Sequence, residues 1–336
     1  MTCKIAFQKQ KVMRTVIYSL IPATIGSVYF FGWRSLAIIL LSIISCILTE
    51  WLFIRGKNGK VTEAVLVTGV LYALTLPPTI PFYMVILGAI FGVSFGKMAF
   101  GGFGANVFNP ALVGRAFVYI TFPVHMTNRW LPAANFSDFS GGFAAWEFST
   151  LGDSVSAITS ATPMSAFRDG ATELPNYWQL FLGNINGQFE NLGEVTLIGG
   201  GSLGETSALL LLIGGLYIVV KKLANWKIVV SFFSSFVIFQ TLFHLFLPTK
   251  VAHPVFGLLS GGIILGGFFM ATDPVSAART DIGRWIYGAL ISILTILIRS
   301  FSLFAGGLMF AILLGNMFAP IIDYGVQGFQ KGNKKA

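Results

Sequence analysis

Few residues in this chain can do chemistry, because most of it is apolar, and the exceptions fall into three groups. The first is Thr159-Ser160-Ala161-Thr162-Pro163-Met164, in the middle of the only long polar segment. Hydroxyl residues and small neighbours surround Thr162, and Pro163 prevents the segment from continuing as helix. That leaves a sterically open hydroxyl, as an acceptor for a bulky modification must be. An ordinary turn has the same composition, so the pattern alone leaves both readings standing.

The second group is the acids within apolar runs: Glu50, Glu63, Asp273 and Asp323. A carboxylate at mid-bilayer costs about 2.5–3.5 kcal/mol, so each is expected to face a protein interior and to have a partner or a purpose. Asp273 is the most telling, because Ala271-Thr272-Asp273-Pro274 breaks its helix where unwound backbone can line a cavity. Glu50 and Glu63 also fit an interfacial position near Arg55, Lys57 and Lys60, and Asp323 one near the end of its span. The third group is the carboxamides Asn106 and Asn109 beside Pro110. Amides at a broken helix supply both donors and acceptors, which suits the polar edge of a flavin ring or a small polar solute, and equally suits a half-helix cap. The preceding Gly101-Gly102-Phe103-Gly104 follows no strand and lacks the Lys-Ser/Thr of a phosphate loop, so nucleotide binding is rejected.

The elements that must hold these residues are membrane helices. Among 336 residues, 55% are hydrophobic and 10% charged, against about 25% charge in soluble proteins. The 38 glycines fit close helix packing in lipid. The net charge of +9 is spread over short loops and termini with no stripe interleaved with aromatics, which excludes a nucleic-acid surface. Cys3 and Cys46 form no C-x-x-C, so the chain cannot hold a four-cysteine cluster, and a disulfide between them is not expected. His125, His244 and His253 are too scattered for stacked haem ligation. The basic N-terminus leads through Pro22 into a second apolar run without a cleavage pattern, and reads as a first membrane helix.

Spans are predicted near 12–32, 34–54, 62–80, 82–100 and 106–124, then near 205–220, 227–247, 254–272, 284–299 and 301–322. This divides the chain into a five-helix repeat over 1–124, an extracytoplasmic loop over 125–204, a second repeat over 205–323 and a basic tail over 324–336. An odd count turns the second half upside down relative to the first, the inverted-repeat plan of many transport folds. Internal similarity supports it: Ala105-Asn106-Val107-Phe108-Asn109-Pro110 resembles Gly315-Asn316-Met317-Phe318-Ala319-Pro320, and the break at Leu76-Pro77 resembles Asp273-Pro274. With the N-terminus cytoplasmic, the opposite side keeps only Arg34, Arg129, Arg168, Lys250 and Arg299, with Arg115 inside a helix, so Thr162 lies outside the cytoplasm.

At these residues the sequence resembles the NqrB/RnfD family of membrane flavoproteins, found in the Rnf complex (RnfD) and in the sodium-translocating NADH:quinone oxidoreductase (NqrB). The matching words are Val67-Thr68-Gly69, Leu74-Thr75-Leu76-Pro77-Pro78-Thr79, Gly96-Lys97 with Phe100-Gly101-Gly102, and Asn109-Pro110-Ala111-Leu112 to Gly114-Arg115. They continue through Ser160-Ala161-Thr162-Pro163, Gly204-Glu205-Thr206-Ser207, Phe269-Met270-Ala271-Thr272-Asp273-Pro274 and Ala319-Pro320 with Asp323. The resemblance implies a ten-helix, urea-transporter-like, all-α fold of two inverted repeats, and FMN joined through its phosphate to a threonine that here is Thr162. The family's attachment motif has an acid six positions before the threonine; here that position is Ser156, with Asp153 three residues earlier. A second, non-covalent flavin, riboflavin, is implied in the membrane part, which matching words place near Asn106, Asn109 and Asp273.

The resulting expectation is a multi-pass component of a bacterial or archaeal cytoplasmic (inner) membrane complex, with both termini cytoplasmic. It carries electrons through FMN and couples their flow to Na+ or H+ movement, alongside flavin- and iron–sulfur-containing partner subunits. Thr162 is an anchor and not an acid, base or nucleophile. Asp273, Asp323, Glu63 and Glu50 are candidates for ion contact or for compensating a reduced flavin's charge. Tyr29-Phe30-Phe31-Gly32 and the short N-terminus favour the RnfD branch, whereas Asp273 to Ala277 and Trp285 to Leu290 look more like the NqrB branch. The rival from another class is a flavin-free solute channel, since fold does not fix function. The stretch Gly187 to Gly201 fits no functional pattern.

Overall fold

In the computed structural model the described residues are 6–57, 59–127, 130, 133–134, 140–147, 160–170, 174–185, 187–191, 194–198, 201–302 and 306–333. The N-terminal part runs β1 (Phe7–Gln8), α1 (Lys11–Phe31), α2 (Trp33–Ile54), β2 (Val61–Thr62), α3 (Ala64–Leu74), α4 (Phe82–Gly96), α5 (Pro110–Thr121) and α6 (Pro123–Thr127). The middle holds β3 (Ser160–Ala161), α7 (Pro163–Arg168), α8 (Tyr177–Leu182), β4 (Gly187–Asn191) and β5 (Glu194–Ile198). The C-terminal part comprises α9 (Ala208–Val220), α10 (Trp226–Phe246), α11 (Pro254–Leu259), α12 (Ile263–Leu265), α13 (Asp281–Phe301) and α14 (Leu308–Asn333). A π-helical turn over Gly266–Met270 extends α12.

Among the described residues, five segments are long and apolar enough to cross a membrane: Trp33–Ile54, Phe82–Phe100, Trp226–Phe246, Asp281–Phe301 and Leu308–Lys331. Shorter apolar helices occupy Ala64–Leu74, Pro110–Thr121 and Ala208–Val220. Their surfaces are those of a membrane protein turned inside out relative to a soluble one. Along α2, Leu40, Ile44, Leu48 and Leu52 project outward while Ser35, Ser42, Ser45, Thr49 and Glu50 are buried. A stripe of leucine and isoleucine at four-residue spacing facing away from the protein has its favourable solvent in lipid. The buried hydroxyls are satisfied locally, as with Ser42 Oγ donating to Gly69 O at 2.8 Å. The chain is therefore a mostly helical, multi-pass membrane protein.

Helix contacts run in parallel through the two parts. α2 packs on α3 and α4, and α4 on α5; α10 packs on α11 and α13, and α13 on α14. The parts meet where α1 lies against α9 and where α5 meets α14. At the first seam glycine is obligatory: a Cβ on Gly214 would stand 2.0 Å from Ser19 O.

Both predicted breaks exist. α3 stops at Leu74 and the chain turns through Leu76-Pro77-Pro78, and the π turn stops before Asp273-Pro274. Freed carbonyls at non-helical backbone need donors. Arg34 supplies them at the first break, donating to Pro78 O, Thr79 O and Ile80 O. Arg299 does the same between α11 and α12, with Nη1 on Gly257 O at 2.8 Å and Nη2 on Ser260 O at 3.1 Å.

Three expectations need correction. The span predicted near 254–272 is not one helix: α11 ends at Leu259, and Ser260 to Gly262 separate it from α12. The last span does not end near 322; α14 runs to Asn333, continuing through Pro320. The helical plan also omits strands. β1 pairs in parallel with β2, and β3, β5 and β4 form a three-stranded sheet in that order, with β4 and β5 antiparallel. The period-2 pattern of Glu194-Val195-Thr196-Leu197-Ile198 carries that hairpin signal.

Candidate functional site

The sequence-marked residues gather at two opposite ends of the helices. At one end, Trp33 N donates to Ala145 O, Ser207 Oγ to Phe181 O and Arg168 to Ser302 O. These contacts tie the middle segment to the helices. At the other, Arg14 binds Glu63 and Lys227 binds Asp281. α10, with 21 residues, spans about 30 Å between them at 1.5 Å per residue.

Thr162 belongs to the first end. Ser160 and Ala161 pair in parallel with Leu197 and Ile198, so the hairpin over Gly187–Ile198 holds the backbone that leads into Thr162. This supplies a structural role for a stretch that gave no functional signal. Pro163 then starts α7 at its first position, where a missing N–H costs nothing. Thr162 is the N-cap: its Oγ1 accepts from Ser165 N at 3.2 Å and lies 2.9 Å from Ser165 Oγ. The hydroxyl is half-buried rather than fully open. α7 is anchored by Met164 Sδ, which accepts from buried Ser260 Oγ at 3.8 Å, and by Arg168 Nη2, which donates to Ser302 O at 2.6 Å. Thr159, Ser156 and Asp153 lie outside the described residues, as do Arg129 and Cys3.

At the second end a cleft open to solvent lies between α1, α3, the loop before α5, the end of α9 and the 269–275 break. Asn106, Asn109 and Asp273 all line it. The structure thus brings Asp273 together with two asparagines from a distant part of the chain. Most of the wall is apolar, from Met13, Val67, Leu71, Ile218 and Phe269, with Lys97, Thr68 and Thr272 adding polar groups. A mostly apolar cleft with a few convergent polar side chains is the usual form of a small-molecule site.

Each polar group there is held by the fold. Asn109 caps α5, its Oδ1 accepting from Ala111 N at 3.0 Å, so the capping role and the cavity position coexist. Its backbone N donates to Asn316 Oδ1 at 3.2 Å, and Asn316 Nδ2 donates to Ser276 O and to Tyr287 Oη at 3.2 and 2.8 Å. Asn106 donates to Phe108 O at 3.2 Å. The repeated words therefore do not superpose by role: Asn316, matched in sequence to Asn106, binds Asn109 instead. Asp273 accepts from Val275 N at 3.3 Å and Ser276 Oγ at 2.8 Å, folding the turn that follows its helix.

The other acids are not gathered here. Glu50 is buried inside the protein, with Lys97 as its cationic partner. It is 2% exposed and receives Lys97 Nζ at 2.8 Å and Thr62 Oγ1 at 2.9 Å. Lys97 is itself 2% exposed. Glu63 pairs with Arg14, Nε to Oε1 at 2.8 Å, and also accepts from Gln10 N. Arg14 and the Gln10 amide hold its carboxyl below the usual range. Asp323 accepts from Arg279 N at 2.8 Å and from Thr280 N and Oγ1 at 2.9 and 2.6 Å, tying α14 to the start of α13. Lys97, Asn316 and Arg14 are site or support residues that sequence reasoning misses. Only the charge of Lys97 inside an apolar run gives a signal.

The sequence pattern of the NQR2, RnfD, RnfE family matches residues 3–332. The chain is 36% identical to the D component of the ion-translocating oxidoreductase complex of Aliivibrio salmonicida (strain LFI1238), covering 97% of this chain and 95% of that protein. It is 34% identical to the protein of the same name from Escherichia fergusonii, covering 98% and 96%. The Aeromonas hydrophila protein is also 34% identical, over 94% of this chain and 92% of its own length.

Proposed function

This chain belongs to the NQR2, RnfD, RnfE family, and from that premise we propose that it is the RnfD component of an Rnf-type ion-translocating electron transport complex. In this reading it carries FMN esterified to Thr162. The observation that carries it is the presentation of that hydroxyl. Thr162 heads a short helix fixed between a strand pair and the bundle, outside every apolar span. An anchor of this kind needs no acid or base beside it, and none of Glu50, Glu63, Asp273 or Asp323 is close-bonded to Thr162. Bound there, FMN would supply one-electron chemistry, while the chain supplies position and electrostatics.

Riboflavin is assigned to the cavity at the opposite end. The residues fit: the apolar walls suit a flat ring, and Asn106 and Asn109 bring amide donors and acceptors to its polar edge. The two carriers then lie at opposite ends of the helices, and partner subunits of the complex are expected to pass electrons between them. The helices form two inverted five-helix repeats, an assignment supported by the parallel contact order and the two guanidinium-stapled breaks. Lys9, Lys11, Arg14, Lys221, Lys222 and Lys227 share the cavity end, which orients that end and both termini to the cytoplasm. For Na+ or H+ coupling, Asp273 is the favoured acid, because it alone of the four lines the cavity.

The test is in-gel ultraviolet fluorescence of the denatured chain from natively expressed complex. The wild type is expected to fluoresce and Thr162→Ala to be dark. A bright Thr162→Ala band would move the attachment elsewhere. A dark wild type, with only unmodified mass on the peptide spanning Thr162, would leave a flavin-free channel as the better description.

A further inference from the structure

We propose that Lys97 is a positioning residue for the redox ligand of the cavity: it contacts the polar edge of a flat, imide-bearing heteroaromatic and favours its reduced, more negative form. The inference rests on the cavity reading above. Lys97 follows α4 directly, and its ammonium is almost wholly enclosed yet lines the cavity. Two of its three N–H groups are committed, to Glu50 Oε2 at 2.8 Å and to Thr62 Oγ1 at 2.6 Å. Thr62 closes the ring by donating through N and Oγ1 to Glu50 Oε1 at 3.2 and 2.9 Å. Among the described residues the third N–H has no partner, and the charge lies 5.9 Å from the centre of the Phe103 ring, another cavity wall.

This arrangement differs from a plain buried ion pair. A pair kept only for stability is replaceable by apolar residues at little cost, so charge retained at a cavity wall points to a ligand. The carboxylate behind the ammonium fixes it without using its last donor, and the cation stands nearer the cavity than its counter-charge, which does not line it. A neutral ring bound there would gain one negative charge on taking one electron from an iron–sulfur or flavin carrier of a partner subunit, which would be oxidised in turn; Lys97 would meet that charge with a charge-assisted hydrogen bond while keeping its proton.

The experiment uses the intact complex and two variants, Glu50→Gln and the double variant Lys97→Met/Glu50→Gln, which avoids stranding a buried carboxylate. Acid-extractable flavin is quantified and its midpoint potential measured by spectroelectrochemistry, with covalent fluorescence at Thr162 reporting assembly. Glu50→Gln leaves the cation uncompensated and is expected to raise the potential. The double variant removes the donor and is expected to lower it, by about 59 mV for a tenfold loss in relative affinity of the reduced form, or to lose the extractable flavin alone. A merely structural pair would move both variants the same way. Shifts of the same sign, no shift in either, or flavin loss from both would overturn the role of Lys97. A wild-type complex with no extractable flavin would overturn the cavity reading itself, and the inference with it.

Discussion

Asn109 and Asn316, 207 residues apart, are joined through the backbone N–H of one and the side-chain oxygen of the other, 3.2 Å apart. The bond crosses from the start of α5, which lines the cavity, to α14, which does not. Because Asn316 also donates to Ser276 O and Tyr287 Oη, one carboxamide fixes α5, α13, α14 and the turn after Asp273 relative to one another.

Asn316→Leu keeps the branching at Cγ and strands three buried polar groups, at a cost of about 1–3 kcal/mol each. The expected outcome is a lowered apparent unfolding temperature in detergent and a loss of extractable flavin, with covalent fluorescence at Thr162 kept. Unchanged stability would show that the network is dispensable.

The hairpin gives a prediction of opposite selectivity. β5 is the central strand of its sheet, flanked by β3 and β4, so a proline within it removes a ladder bond. Thr196→Pro is expected to reduce covalent fluorescence at Thr162 severalfold while extractable flavin stays near wild type. Equal loss of both would mean that the hairpin serves overall folding and not the presentation of Thr162.

These two ends differ in how far the sequence announces them. The helical runs and both breaks are legible, because apolar length and the Pro-linked interruption of helices are local properties of the chain; the meeting of Asn106, Asn109 and Asp273 is expected only from the family resemblance. Lys97 is not legible. Its charge within an apolar run names no partner, and only the fold reveals that Glu50, 47 residues earlier, meets it inside the protein. The partners of Asp323 are equally hidden: its place near the end of an apolar run does not announce that it binds two backbone amides before α13. The hairpin carries a clear period-2 pattern, but the apolar bulk of the chain favours a reading of helices alone.

Glu63 sets a pH dependence. Arg14 and the Gln10 amide hold its folded carboxyl below the ordinary value of about 4.3. A depressed folded value means that its stabilisation is complete above the ordinary value and is lost as pH falls through the folded one. Detergent-solubilised wild type should therefore keep a flat unfolding temperature from pH 7 to about 5 and lose stability below about 4. Glu63→Gln should start lower at pH 7 and show a smaller acid drop, the two curves converging. Parallel curves across the whole range would exclude Glu63 as the source.

Arg299 provides the sharpest test of how the broken helix survives in an apolar setting. It is 1% exposed, and its guanidinium spans Gly257 O and Ser260 O on either flank of the α11 end. Gly261 takes φ +69, and a Cβ there would stand 2.9 Å from Nη2, so backbone and side chain are fitted to each other. Arg299→Met leaves both carbonyls without these donors, at about 1–3 kcal/mol each, but also relieves the cost of burying a cation. The stranded carbonyls outweigh that relief, because water cannot reach them, and the expected net loss is on the order of 2–4 kcal/mol. Arg299→Lys should recover only part of it, since a single ammonium lacks the planar fork that reaches both oxygens. Ser260 Oγ also donates to Met164 Sδ, so the loss should spread to α7 and weaken covalent fluorescence at Thr162 in the Met variant more than in the Lys variant. Thermal unfolding of the two variants checks the ranking, and an Arg299→Met protein as stable as wild type would show that the break holds without its guanidinium.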